Sequence, residues 1–116
     1  AEKHWISVRE QTHPAFAGSI LWRLALPSTA HSPGLDGLRA IEWGGALRWI
    51  AGEAPAGSLR QRAAAQGGHA TLFRNHDGSD AVFQPLPPAL LALHQRVKQA
   101  LDPHGLFNPG RLYESL

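Results

Sequence analysis

Cysteine and methionine are absent from the 116 residues, and tyrosine occurs once. Without a thiol the chain can form no disulfide, has no thiolate nucleophile and offers no cysteine ligand to zinc or to an iron–sulfur cluster. Long apolar runs are missing too: none approaches the ~18 residues of a membrane-crossing helix, and the start lacks the pattern of a secretion signal. Charge of one sign is scarce. Eleven Lys plus Arg against nine Asp plus Glu give +2 at pH 7, so the sequence pI of about 9.7 reflects a small excess of strong bases. A nucleic-acid binder needs a dense positive face, and none is expected here. The opening Ala-Glu-Lys and the missing methionine lead to the expectation of a processed chain or a piece of a longer one.

What is present fits a globular chain. Apolar residues make up 43% and charged residues 17%, and the length allows one domain with one modest core. Trp5, Val8 and Thr12 fall at helical spacing, and His13-Pro14 ends that helix. Ile20, Trp22, Leu24 and Leu26 alternate as one apolar strand face, closed by Pro27. Residues 27–38, with Pro33-Gly34 and Asp36-Gly37, read as a loop. Two aromatic runs, Ile41-Glu42-Trp43 and Leu47-Arg48-Trp49-Ile50, flank Gly44-Gly45 as a tight hairpin or as one bulged strand. Ser58 and Gln61 have capping-box spacing for a helix to about Gln66, stopped by Gly67-Gly68. His69 to Arg74 alternates as a strand, a polar turn covers 75–80, and Ala81-Val82-Phe83 is a short apolar run. Pro87-Pro88 opens the clearest helix, whose Leu90, Leu93, Val97 and Leu101 line one face toward a core. Asp102-Pro103 closes it, and the apolar tail beyond reads as a docking segment. The four tryptophans are expected mostly in the core. These elements predict an α+β fold, an antiparallel sheet with helices packed on one face, as a single domain over 1–116.

Motifs that would carry chemistry alone are few. Seven histidines include no pair three to five residues apart, so no metal site is expected. No serine sits in a Gly-x-Ser-x-Gly elbow, and neither Gly-x-Gly-x-x-Gly nor a P-loop occurs, so the chain has no phosphate cradle for a dinucleotide. Arg23, Arg48 and Arg74 lie on predicted strands. If two share a sheet face they can clamp a carboxylate; otherwise they pair with Glu42, Glu53 or Asp80 at the rim.

The stretch Lys98-Gln99-Ala100-Leu101-Asp102-Pro103-His104-Gly105-Leu106-Phe107-Asn108-Pro109-Gly110-Arg111 resembles the C-terminal signature of FAD-linked oxidases of the vanillyl-alcohol-oxidase type. Upstream, Trp22-Arg23-Leu24, Ile41 to Trp49, Gly67 to Arg74 and Pro85-Leu86-Pro87-Pro88 are similar to the smaller FAD-binding subunit of bacterial glycolate oxidases. The resemblance implies a C-terminal cap whose N-terminal partner domain holds the FAD, within a complex that includes another flavin subunit and an iron–sulfur subunit. It implies a cytoplasmic location, with inner-membrane association through the complex as an extension. It also implies a small 2-hydroxy acid as substrate, glycolate giving glyoxylate by hydride transfer to FAD. By position, Asn108, Pro109, Gly110 and Arg111 are the expected cofactor-side residues. Arg23, Arg48 and Arg74 are the carboxylate-binding candidates and His69 the base candidate. Related 2-hydroxy-acid dehydrogenases carry a Glu-His-Gly-x-Gly segment where this chain has Gly68-His69-Ala70-Thr71-Leu72, so His69 is not equated with that histidine. An assembly domain without catalytic residues is the alternative expectation.

Overall fold

The computed structural model describes residues 2–31, 36–75, 78 and 81–116. They form two compact units, Ala1–Gln84 and Pro85–Leu116. Parts of two expected turns, at Ser32, Pro33 and Gly34 and at His76, Asp77, Ser79 and Asp80, lie outside the described residues.

The first unit is built on alternation. Helix α1 (Glu2–Arg9) and a 3-10 turn (Pro14–Phe16) precede strand β1 (Leu21–Ala25). Strands β2 (Leu38–Glu42) and β3 (Leu47–Ala51), helix α2 (Ala56–Ala65) and strand β4 (His69–Arg74) follow. The four strands make one sheet in the order β2-β3-β1-β4, every pairing antiparallel. Of the two readings of residues 40–50, the hairpin is the one that forms, with Trp43–Gly45 as a 3-10 turn between β2 and β3.

Because side chains alternate, β1 and β3 each feed two cores. Trp22, Leu24, Ile50, Ala70 and Leu72 meet Leu59 and Ala63 of α2 on one face. Leu21, Trp49 and Ala51 meet Phe16 on the other, with Val8 of α1 packed against them. Trp49 holds Phe16 and Phe73 edge-on at 5.1 and 5.0 Å between ring centroids. The α+β architecture is as expected, and helical elements cover both faces of the sheet. Trp22 and Trp49 are core, but Trp5 and Trp43 are exposed, because a tryptophan on a short helix or a turn tip has no opposing layer.

The start of α2 differs from expectation. Its cap is Pro55, three residues before Ser58, and the first turn is made by Leu59 N–H on the Pro55 carbonyl at 3.2 Å. Proline fixes its own φ for the turn, so the helix begins without a side-chain cap. The end is as read. Gly67, at φ +75°, donates to Ala64 O and Gly68 to Ala63 O, both at 2.9 Å, which is a Schellman stop. Gly68 is also confined by packing, since a Cβ there would meet Ala25 O at 2.1 Å.

The second unit is one helix and a tail. Helix α3 (Pro88–Leu101) starts after Pro87, as the Pro-Pro pair predicts. Its apolar row does not enter a core as expected: Leu90, Leu93, Val97 and Leu101 are all exposed, and α3 buries no residue. Helical spacing places side chains on one face; it cannot supply the layer that would cover them.

Candidate functional site

Register decides which candidates share a face. Arg23 of β1 pairs with Trp49 of β3 and Thr71 of β4, and the next residue on its face, Ala25, pairs with His69. Arg23 and His69 are therefore diagonal neighbours on one side of the sheet, close enough for long side chains to approach a common ligand. Arg23 is half-buried and His69 exposed. Among the described residues the Arg23 guanidinium has no ion pair or hydrogen bond, which leaves five donors for an incoming acceptor.

Arg48 is placed differently. It pairs with Leu24, so it points to the opposite face, and it is 4% exposed. Its Nε donates to Gly45 O at 3.2 Å, Nη1 to His31 O at 3.0 Å and Nη2 to Ala30 O. A guanidinium with its donors taken by carbonyls ties the loop after β1 to the β2–β3 turn. Arg74 follows the irregularity between Leu21 and Trp22 and donates from Nη1 to Phe16 O at 2.8 Å and Gly18 O at 3.3 Å. Of the expected rim partners, Glu42 instead accepts from Trp49 Nε1 at 2.6 Å, and Asp80 lies outside the described residues. The structure thus brings Arg23 and His69 together and separates Arg48 from them.

The second set of candidates sits on the tail of the second unit. Asn108 (φ 46°) and Gly110 (φ 69°) are both in the left-handed region, which asparagine tolerates and glycine adopts freely. Arg111 N–H reaches Asn108 O at 3.3 Å, and Gly110 N–H reaches Leu116 O at 2.6 Å. Around Gly110 nothing lies within 4 Å of where a Cβ would be, so a flat group can approach the backbone there. Arg111 is exposed, and its guanidinium has no partner among the described residues. An open backbone flank beside a free guanidinium fits a planar, oxygen-bearing cofactor such as FAD.

Two residues with no assigned role hold this tail. Asp102, 8% exposed, accepts from Leu106 N–H on Oδ1 and Phe107 N–H on Oδ2, each at 2.9 Å. Lys98 Nζ lies 2.8 Å from Oδ2 and also donates to Phe107 O. The Lys98 hydrogen bond, then the two backbone donors, pull the Asp102 carboxyl from 3.8 down to about 2. The sequence marked Asp102-Pro103 as a helix stop and as part of the 98–111 signature but gave Asp102 no partners; the i,i+4 Lys-Asp pair before a glycine was the signal available. No group of His, Asp or Glu capable of holding a metal occurs among the described residues. No helix among them is long and apolar enough to cross a membrane.

Comparison with known proteins bears on the same tail. Residues 79–112 match the family model of FAD linked oxidases, C-terminal domain. The chain is 45% identical over 117 aligned residues to glycolate oxidase subunit GlcE of Escherichia coli (strain K12), and the alignment takes in 100% of this chain and 33% of that protein. The chain spans about a third of the length of the relative it matches. No solved structure matches it. The tail built on Asp102 therefore lies within the segment that matches the FAD-linked oxidase C-terminal domain model, and the chain as a whole is similar to one third of a bacterial glycolate oxidase subunit.

Proposed function

We propose that this chain is the substrate-side, C-terminal cap of the FAD-binding subunit of a glycolate oxidase. In this reading a separate N-terminal domain holds most of the FAD, and the other flavin subunit and an iron–sulfur subunit complete a cytoplasmic complex. The similarity to GlcE supports the assignment, and one observation carries the substrate role: the free Arg23 guanidinium diagonal to His69 on one sheet face.

Arg23 would hold the carboxylate of a small 2-hydroxy acid bidentately, a contact to which guanidinium geometry is matched. His69 would take the hydroxyl proton, the task of a positioned imidazole. The turn Asn108-Pro109-Gly110-Arg111 would lie against the cofactor, with Gly110 admitting the ring and Arg111 donating to its oxygens. Bound FAD supplies the hydride acceptor for C2 of the substrate. Arg48 and Arg74, with carbonyl partners of their own, keep the sheet and its loops in register.

The test uses the flavin-loaded full-length protein and its complex. Arg23→Ala should raise KM for glycolate by roughly ten-fold or more, as expected for losing a charged hydrogen-bonded pair, with flavin content unchanged. His69→Gln should lower kcat more than it raises KM. If neither variant alters turnover, the cap is an assembly domain, a reading that the exposed apolar side chains from Leu90 to Leu112 would then favour.

A further inference from the structure

We propose that Asp102 is a positioning residue: with Lys98 it clasps residues 105–107 and so sets how the Asn108–Arg111 turn presents its open side to the flavin. The inference rests on the reading above that this turn faces FAD.

A helix stop does not account for an aspartate here. The C-terminal end of a helix carries the negative end of the helix dipole, so an unpaired carboxylate is disfavoured there, and glycine or asparagine would end the helix better. Asp102 nevertheless occupies the cap of α3, its own N–H on Lys98 O at 2.7 Å. Its charge is compensated from the tail side. Each carboxylate oxygen takes one backbone N–H, from Leu106 and from Phe107, and Lys98 bridges Oδ2 and the Phe107 carbonyl. The Asp102 carbonyl accepts from Gly105 N–H at 3.1 Å. Residues 105, 106 and 107 are thus all tied to one side chain or its backbone.

The consequence falls on the next residue. Asn108 follows this tied segment directly, and the turn is closed at its far end by Gly110 N–H on Leu116 O and Leu116 N–H on Tyr113 O. Two donors on two oxygens fix the orientation of the carboxylate plane relative to the loop, which a single hydrogen bond would leave free to rotate. Leu106 and Phe107 are 72% and 68% exposed, so apolar burial does not hold this segment in place. Among the bonds described, the clasp is what joins the end of α3 to the turn, and its loss lets the turn move relative to the helix.

The experiment follows two readouts in the flavin-loaded full-length protein: amide exchange at Leu106 and Phe107, and the absorption envelope and potential of bound flavin. Asp102→Asn should speed exchange at both amides by roughly ten-fold or more and move the flavin spectrum. Lys98→Arg, which keeps the cation, should leave both near the natural protein, while Lys98→Met should shift both in the direction of Asp102→Asn and serves if that variant fails to fold. Unchanged exchange overturns the clasp. Faster exchange with an unmoved spectrum, where Arg111→Ala does move it, overturns the positioning role alone. If neither Asp102→Asn nor Arg111→Ala moves the spectrum, the turn does not face flavin, and the proposed function of the tail fails with the inference.

Discussion

In the first unit, Ala1–Gln84, two apolar clusters enclose Trp22, Leu24, Ile50 and their neighbours on one sheet face and Phe16, Leu21 and Trp49 on the other. In the second, Pro85–Leu116, the buried side chain is a carboxylate, Asp102, while Leu93, Val97, Leu101, Leu106 and Phe107 are exposed. One unit is organised by removing apolar surface from water, the other by hydrogen bonds to a charge. The first kind of order is non-directional and tolerates small shifts; the second is directional and ties backbone position to single atoms. The same contrast separates the arginines. Arg48 serves the sheet as a buried donor to three carbonyls, and Arg23 has no partner for its donors among the described residues.

The largest effect should come from the cores. Leu24→Ala, at a fully buried site in the sheet, should cost about 2–5 kcal/mol in urea unfolding. Leu93→Ala, on the exposed row of α3, should stay within roughly 0.5 kcal/mol. Equal losses at the two sites would break the comparison. Next comes Arg48→Ala, which strands the Ala30, His31 and Gly45 carbonyls and should cost about 2–3 kcal/mol. Arg23→Ala should leave the same unfolding midpoint nearly in place, and a large drop there would make Arg23 a structural residue like Arg48.

The smallest effect is a titration in the second unit. Asp102 is held at about 2, below its ordinary 3.8. A depressed folded-state value means that its contribution is complete above 3.8 and disappears as pH falls through about 2. Amide shifts of Leu106 and Phe107 should therefore hold steady down to pH 4 and change in that acid window. The Lys98→Met variant should move the change upward, because the Lys98 hydrogen bond is the largest cause of the depression. A midpoint already at the ordinary carboxylate value in the natural protein would remove the clasp from the account.

Much of the fold was legible because the signals are local. Alternation at Trp22, Leu24 and Leu26, the Gly44-Gly45 turn, the Gly67-Gly68 stop and the Pro87-Pro88 start each act within a few residues, and each produced the element expected of it. Ser58 misled because a cap motif competes with whatever turn the chain already makes, and Pro55 made that turn first. The apolar row of α3 misled because spacing describes one face and says nothing of its cover. In the candidate site, the sequence put three arginines on strands and singled out the Asn108–Arg111 turn, but Asp102 figured only as a helix stop and as a member of the 98–111 signature, without its partners.

By itself, the amino-acid order determined the strands, the helices, their stops and the resemblance carried by the 98–111 segment, since periodicity, proline, glycine and motif spacing are properties of neighbours in the chain. Tertiary structure alone decided which of the three strand arginines has no partner among the described residues. Arg48 meets carbonyls 17 and 18 residues away and Arg74 meets one 58 residues away, and pairing over such separations is set by sheet register and burial, which no local pattern encodes.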